Sequence, residues 1–463
     1  MVGPTVRQRL APLLLVLVST LSMLLVLEAA ARLARRARGK GKEAAEIVHY
    51  TEYDPILGWR KTPGARVVYH RREYTTEVAV NNHGLRDPER GYETPPATQR
   101  VLALGDSFIE GYTVPLAQTA SQVLESSLTR AGCRAEVING GTAGYSTDQE
   151  LLFYETEGQL YGPRVVLLFF HYNDVVYNDR QDYFGAPKPE FEMGGGRLCI
   201  HRLPVRRPGS PLAPEPSAES VGESGSALVD WIRERLWYGA PGAYGFLAHL
   251  GLWRRMPEMA TRLELRVYER RRVDPVEKAW AKTAAILAAL GAQTAARGAR
   301  LLIVHVPSRL EIDDRSWRLS RRIYGWDEAA WDRGRVAQRL KDLGAQARIP
   351  VLDLSEPLRR AGEGWKEKPY FTYDGHWTAL GHRIAAAEVQ RFLAAHGWLA
   401  GCSTPLPSSA GATSRTRSRL SCAGDSHACV SPSPLPFRKR IGRASRGRRS
   451  RRSSPAPRSG RRP

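Results

Sequence analysis

The sequence predicts an α/β protein with a parallel sheet covered by helices on both faces. Short continuous apolar runs recur from residue 100 onward, and segments with helical spacing separate them. Hydrophobic residues make up 42% of the 463-residue chain, enough for a packed core.

The elements follow in order. Leu10 to Leu27 is an apolar run preceded by Arg7 and Arg9, near the length that spans a hydrocarbon layer. Residues 1–42 therefore read as an N-terminal transmembrane helix with basic flanks, although Ala29-Ala30-Ala31 also suits a signal peptidase. Residues 43–99 hold turn residues between short alternating runs such as Arg66-Val67-Val68-Tyr69, a small β-rich lead-in. A domain over 100–398 follows. Its strands are Val101 to Leu104, Ala135 to Asn139, Val165 to Phe170, Leu301 to Val306 and Ile349 to Leu352. Its helices are Pro115 to Gly132, Thr147 to Leu160 with Thr147 as N-cap, Ala279 to Arg297, Trp326 to Ala345 and Thr378 to Ala395. An insert, 178–274, begins loop-like and continues as amphipathic helices from Leu228 to Arg272; a lid and a surface subdomain are equal readings. The tail, 399–463, is rich in Arg, Ser and Pro without hydrophobic periodicity and is expected to be disordered.

The formal net charge of +22 suggests a nucleic-acid binder until it is located. Residues 1–42 carry eight Lys or Arg against one Glu, and residues 401–463 carry fifteen against one Asp. The body between is close to neutral, so nucleic acid is not an expected partner. Cys133 and Cys199 lie in the body, and Cys402, Cys422 and Cys429 in the tail; no zinc-ligand spacing occurs. A Cys133–Cys199 bridge in an exported body and two separate thiols are both open readings. No metal or cofactor is expected.

Gly105-Asp106-Ser107-Phe108 follows the first strand, where open α/β sheets form ligand crevices. The Ser107 N–H would start the next segment, where unpaired amides favour developing negative charge. Ile109 stands where the α/β-hydrolase elbow has its second glycine, so this is a different turn. A serine nucleophile needs a base. His376 lies in Tyr373-Asp374-Gly375-His376-Trp377, before the last helix. In extended backbone, residues two apart share a side, so Asp374 can orient the imidazole. Oxyanion donors would come after the next strands: Gly144 by its backbone N–H and Asn173 by its side-chain amide. His171, two before Asn173, either lines the site or is a structural histidine.

These blocks, Gly105-Asp106-Ser107, Gly144, Asn173 and Asp374 with His376, resemble in order the Ser, Gly, Asn and His blocks of the SGNH (GDSL-like) hydrolases. The stretch Val137 to Leu151 is similar especially to membrane-anchored bacterial members. The resemblance covers roughly residues 50–398. It implies a flavodoxin-like three-layer α/β/α sandwich with a five-stranded parallel sheet. It also implies a Ser107–His376–Asp374 triad, an oxyanion hole from Ser107, Gly144 and Asn173, and an acyl-enzyme on Ser107 without metal. Three departures stand out. Phe108 replaces the Leu of the GDSL name. His171 stands where many members have Gly. The acid precedes the base by two residues instead of three, as in SGNH-like proteins that acetylate exported polysaccharides.

Four functions compete. The first is a serine hydrolase cleaving O-acyl esters of a glycan, lipid or small molecule. The second is an O-acetyltransferase of a cell-envelope polysaccharide, which would need a partner carrying the acyl donor. The third is a non-catalytic binding module, and the fourth is nucleic-acid binding through the tail. Basic residues after the span, Arg32 to Lys42, favour a cytoplasmic body, whereas the resemblance favours an extracytoplasmic one, which is the expectation taken forward.

Overall fold

The computed structural model describes residues 6–37, 50–183, 185–194, 197–201, 203–207, 225–250, 263–362 and 367–401. The expected disorder of the tail falls outside the described residues beyond 401. The first helix, α1 (Val6–Ala37), contains a 21-residue stretch, Leu14–Ala34, with mean hydropathy 2.3. Its length and composition suffice to cross a membrane, and its leucines are exposed.

The lead-in forms two antiparallel hairpins: β1 (Thr51–Asp54) with β2 (Gly58–Lys61), and β3 (Arg66–His70) with β4 (Thr75–Ala79). In the second hairpin the strands alternate exposed and buried residues, and Val67, Tyr69 and Val78 pack with Tyr50 and Val80.

The main sheet then begins with β5 (Gln99–Leu104), β6 (Ala135–Asn139) and β7 (Val165–His171). Two short hairpins of the insert intervene: β8 (Asp182–Tyr183) with β9 (Ala186–Pro187), and β10 (Phe191–Gly194) with β11 (Arg197–Ile200). The sheet closes with β12 (Arg300–Val306) and β13 (Val351–Asp353), in the parallel order β13-β12-β7-β5-β6. All seven residues of β7 are buried because both faces of this central strand are covered.

The helices are α2 (Ser107–Glu110), α3 (Ala120–Arg130), α4 (Thr147–Thr156), α5 (Asp174–Tyr177), α6 (Ala227–Gly239), α7 (Pro241–His249), α8 (Asp274–Ala296), α9 (Arg309–Ile312), α10 (Asp314–Tyr324), α11 (Arg335–Ala347), α12 (Ser355–Gly362) and α13 (Ala379–Ala395). Strand alternation sorts the core into two layers. Leu102, Leu104, Val166, Leu168, Phe170 and Ile303 meet α4, α8 and α11 through Leu152, Ile286, Leu290 and Leu340. Val101, Ala103, Leu167, Phe169, Leu302 and Val304 meet α3, α12 and α13 through Leu124, Leu358 and Val389. Each of these Val, Leu, Ile and Phe side chains contributes roughly 1.5–3 kcal/mol on burial. The result is a three-layer α/β/α sandwich with the five-stranded parallel sheet that the sequence predicts.

Several local expectations are corrected. The predicted helix from Trp326 does not start there. Gly325, with φ of 68°, ends α10, and Trp326 stacks on Trp331 in an irregular turn until α11 begins at Arg335. The N-cap of α4 is Ser146, not Thr147. The helix expected from Pro115 is a short 3₁₀ turn, Leu116–Gln118, followed by α3 with Thr119 as its cap. The loop-like start of the insert holds the β8–β9 and β10–β11 hairpins. The Cys133–Cys199 bridge does not form: Cys133 is in a disulfide, and Cys199 keeps its thiol. The insert also touches the N-terminal helix. Glu28 accepts hydrogen bonds from Ser226 Oγ and the amides of Ala227 and Leu228, so it caps α6, while Arg32 pairs with Glu28 at 2.6 Å.

Candidate active site

The turn after β5 sets the first residue. Asp106 is the N-cap of α2, its carboxylate accepting from the Phe108 amide at 2.9 Å, and Ser107 follows as the first helical residue. The Ser107 N–H therefore has no intrahelical partner. Ser107 is 5% exposed. Its Oγ lies 2.8 Å from Nε2 of His376, and Nδ1 of His376 lies 2.6 Å from Oδ1 of Asp374. The two halves of this relay are 269 residues apart in the chain. Phe108 packs its ring 4.8 Å from that of His376.

The Asp374 carboxyl is buried, which opposes its charge. The adjacent His376 and the hydroxyl of Tyr74 outweigh burial and hold it below the usual carboxylate range. Tyr74 donates to Oδ2 of Asp374 at 2.7 Å, and the Tyr112 hydroxyl lies 3.3 Å from Nδ1 of His376. Burial beside Asp374 pushes the Tyr74 phenol well up, so it stays a donor. An acidic orienter, an imidazole and a serine hydroxyl in series are what a general-base-activated nucleophile needs.

The other two candidates flank this serine through sheet order, because β6 and β7 are the neighbours of β5. Gly144 lies in the loop after β6 with φ of 78°, in the left-handed region that favours glycine. That loop rests on the serine turn: the Thr142 amide donates to Gly105 O at 3.0 Å, and the Ala143 amide to Glu110 Oε2 at 2.7 Å. Buried Lys61 ties the same loop from the lead-in, donating to Gly141 O and Thr142 Oγ1, both at 2.6 Å. Trp59 Nε1 donates to Ala143 O at 3.1 Å. Asn173 follows β7 at the start of α5, and its Oδ1 is buried without a protein hydrogen-bond partner.

His171 is a structural histidine. Its Nδ1 lies 2.9 Å from Val306 O, and burial pushes its pKa down to about 3, so the ring is neutral. Phe108 stands beside it, 4.8 Å between ring centroids. Among the described residues, no group of three or more His, Cys, Asp or Glu is placed to hold a metal ion.

Sequence reasoning missed the supports contributed by the lead-in and the insert. Tyr50, Trp59, Lys61, Glu73 and Tyr74 lie far upstream in unremarkable strand or turn contexts, with no local pattern that marks them. From the insert, Lys188 is fully buried and bonds Ser146 Oγ, Asp148 and Tyr177 O, beside the Gly144 loop. Tyr183 of the β8–β9 hairpin sits against Gly144 itself.

The sequence model of one family, described as "SGNH hydrolase-like domain, acetyltransferase AlgX", matches residues 267–429. No curated protein matches the sequence. Among solved structures, the chain is similar to a lipase/acylhydrolase from Enterococcus faecalis, at 12% identity and a TM-score of 0.34, over 65% of this chain and 98% of that one. It is similar also to a mutant of Axe2, an acetyl-xylooligosaccharide esterase from Geobacillus Stearmophilus, at 11% identity and a TM-score of 0.32, over 63% of this chain and 93% of that one.

Proposed function

We propose that this chain is a serine esterase that removes O-acyl groups through an acyl-enzyme on Ser107, a reading supported by the match of residues 267–429 to an SGNH hydrolase-like family model. The observation that carries this reading is the Ser107–His376–Asp374 relay, with successive separations of 2.8 and 2.6 Å. Ser107 Oγ attacks the ester carbonyl while its proton passes to Nε2 of His376. Asp374 keeps the ring oriented and stabilises the imidazolium. The Ser107 and Gly144 amides and the Asn173 side chain receive the oxyanion. Collapse of the tetrahedral intermediate expels the alcohol, which takes the proton from His376. Water then repeats the sequence on the acyl-serine and releases the acid.

A second reading changes only the final acceptor: a glycan hydroxyl instead of water, making the protein an O-acetyltransferase. The family description and the Asp374–His376 spacing favour it. In either case α1 anchors the body to a membrane. The disulfide at Cys133 supports an extracytoplasmic body, since such bonds persist in oxidising compartments. That outweighs the basic residues after the span, which argue for the opposite orientation.

The test is turnover of p-nitrophenyl esters of increasing chain length by the full chain in detergent, beside Ser107→Ala. Hydrolysis that disappears in the variant is the expected result. A wild-type protein that hydrolyses none of them, but moves acetyl groups onto a glycan, replaces the esterase by the transferase.

A further inference from the structure

The loop that carries the acid and the base is tied to a distant segment of the chain. Asp374 and His376 are separated by Gly375, with φ of 85° and open space where a Cβ would stand. Glycine at that point leaves the two side chains free to turn relative to one another. Within the loop the Phe371 amide donates to His376 O at 2.8 Å and the His376 amide to Asp374 Oδ1 at 3.2 Å, and an antiparallel bridge between Tyr370 and Trp377 closes its base.

The constraint comes from about 300 residues upstream. The β3–β4 turn closes with the Arg71 amide donating to Tyr74 O, and its three tip residues all reach the loop. The Glu73 carboxylate accepts from three consecutive amides, those of Thr372, Tyr373 and Asp374, at 2.7, 2.7 and 3.1 Å. Tyr74 occupies Oδ2 of Asp374, which leaves Oδ1 for the imidazole. Its ring packs 5.0 Å from Phe371. Arg72 lies 3.5 Å over the Tyr373 ring and donates to its hydroxyl. A carboxylate bound by several amides is a charge-assisted contact, stronger than a neutral one.

We propose that the hairpin tip Arg72–Glu73–Tyr74 is the positioning element of the acid–base pair, fixing the 372–376 loop in the one arrangement in which Asp374 faces Nδ1 of His376. Glu73 sets the backbone and Tyr74 sets the carboxylate rotamer. Neither touches the reacting atoms. The external clamp supplies what the two-residue spacing across a glycine lacks. This inference rests on the reading of Ser107, His376 and Asp374 as the catalytic relay.

The readout is the rate at which a fluorophosphonate probe labels Ser107 in the full chain, which reports activation of the serine whatever the natural acceptor. Glu73→Gln keeps one acceptor oxygen and slows labelling about tenfold; Glu73→Ala keeps none and slows it on the order of a hundredfold. Saturation with probe occurs at unchanged concentration in both. Tyr74→Phe has a signature that general loosening would not give. Removing that donor returns negative charge to the Asp374 carboxylate, which stabilises the His376 imidazolium. The acid limb of the labelling profile therefore moves to higher pH. The other titratable or charged groups facing the pair and its loop are Tyr112, Glu73, Arg72 and Arg309, with His171 and His382 buried and neutral behind it.

Circular dichroism and the unfolding midpoint check that each variant folds; should Glu73→Ala not fold, the other two decide. Wild-type rates and an unshifted profile in Glu73→Gln and Tyr74→Phe, with Ser107→Ala unlabelled, overturn the clamp and leave the relay standing. A wild-type chain that the probe does not label at Ser107 removes the relay, and the clamp with it.

Discussion

A methyl group added at Gly144 would lie 2.8 Å from the Tyr183 ring and 3.3 Å from Trp59, on a backbone with φ of 78°. Left-handed backbone costs a non-glycine residue about 1–2 kcal/mol before the ring has to move. Gly144→Ala is expected to lower stability by at least that amount in urea titration. If Gly144 N–H serves the oxyanion, kcat falls on the order of a hundredfold as well; full activity would remove it from that role. At this scale the sequence was informative wherever chemistry is local. Ser107 follows its strand within three residues, and Asp374 and His376 lie two apart, so type and spacing mark them as candidates. Glu73 and Tyr74 act through a fold contact across the whole domain, and no window of sequence contains both ends of it.

Among the elements, the small insert hairpin β8–β9 also bears on the site, through Tyr183 against Gly144. Just beyond it, Lys188 lies with its ammonium 2.8 Å from the Asp148 carboxylate, both side chains wholly buried. Burial pushes the lysine down from its ordinary value, and Asp148 holds its charge in place. Lys188→Met would strand Asp148 near two other buried carboxyls, Glu150 and Asp174, which desolvation pushes well up. Breaking such a pair typically costs about 3–5 kcal/mol, and equilibrium denaturation should register it. The strands were legible because buried parallel strands read as continuous apolar runs, as β7 does. Helix ends were less so. The Trp326 turn carries apolar residues at helical spacing, yet Gly325 and the Trp326–Trp331 stack give that segment another way to bury them.

Over the whole molecule, buried histidines set opposite pH limits. His305 lies between Asp353 at 3.0 Å and Glu311 at 3.3 Å. Burial opposes its charge, but the two carboxylates prevail and push its pKa up to about 9. Its contribution is complete below the ordinary histidine value of about 6.5 and is lost as pH rises through about 9. His171 and His382 are held neutral by burial, with pKa values of about 3, so stability falls as pH drops below about 6.5. The unfolding midpoint should therefore fall from near-neutral pH toward pH 9, and His305→Gln should flatten that alkaline slope; an unchanged slope would locate the titration elsewhere. The fold class was readable because it rests on a repeating pattern, whereas the tie between α6 and Glu28 has no sequence signal. The separation of the site's parts has a kinetic corollary. Tyr74 meets Asp374 across 300 residues, and Ser107 meets His376 across 269. Contacts of such high order form late. A nascent chain emerging from the ribosome holds Ser107 without His376 beside it until a further 269 residues have been added. The Ser107–His376 contact can thus form only after the N-terminal segment has left the ribosome and can engage a membrane.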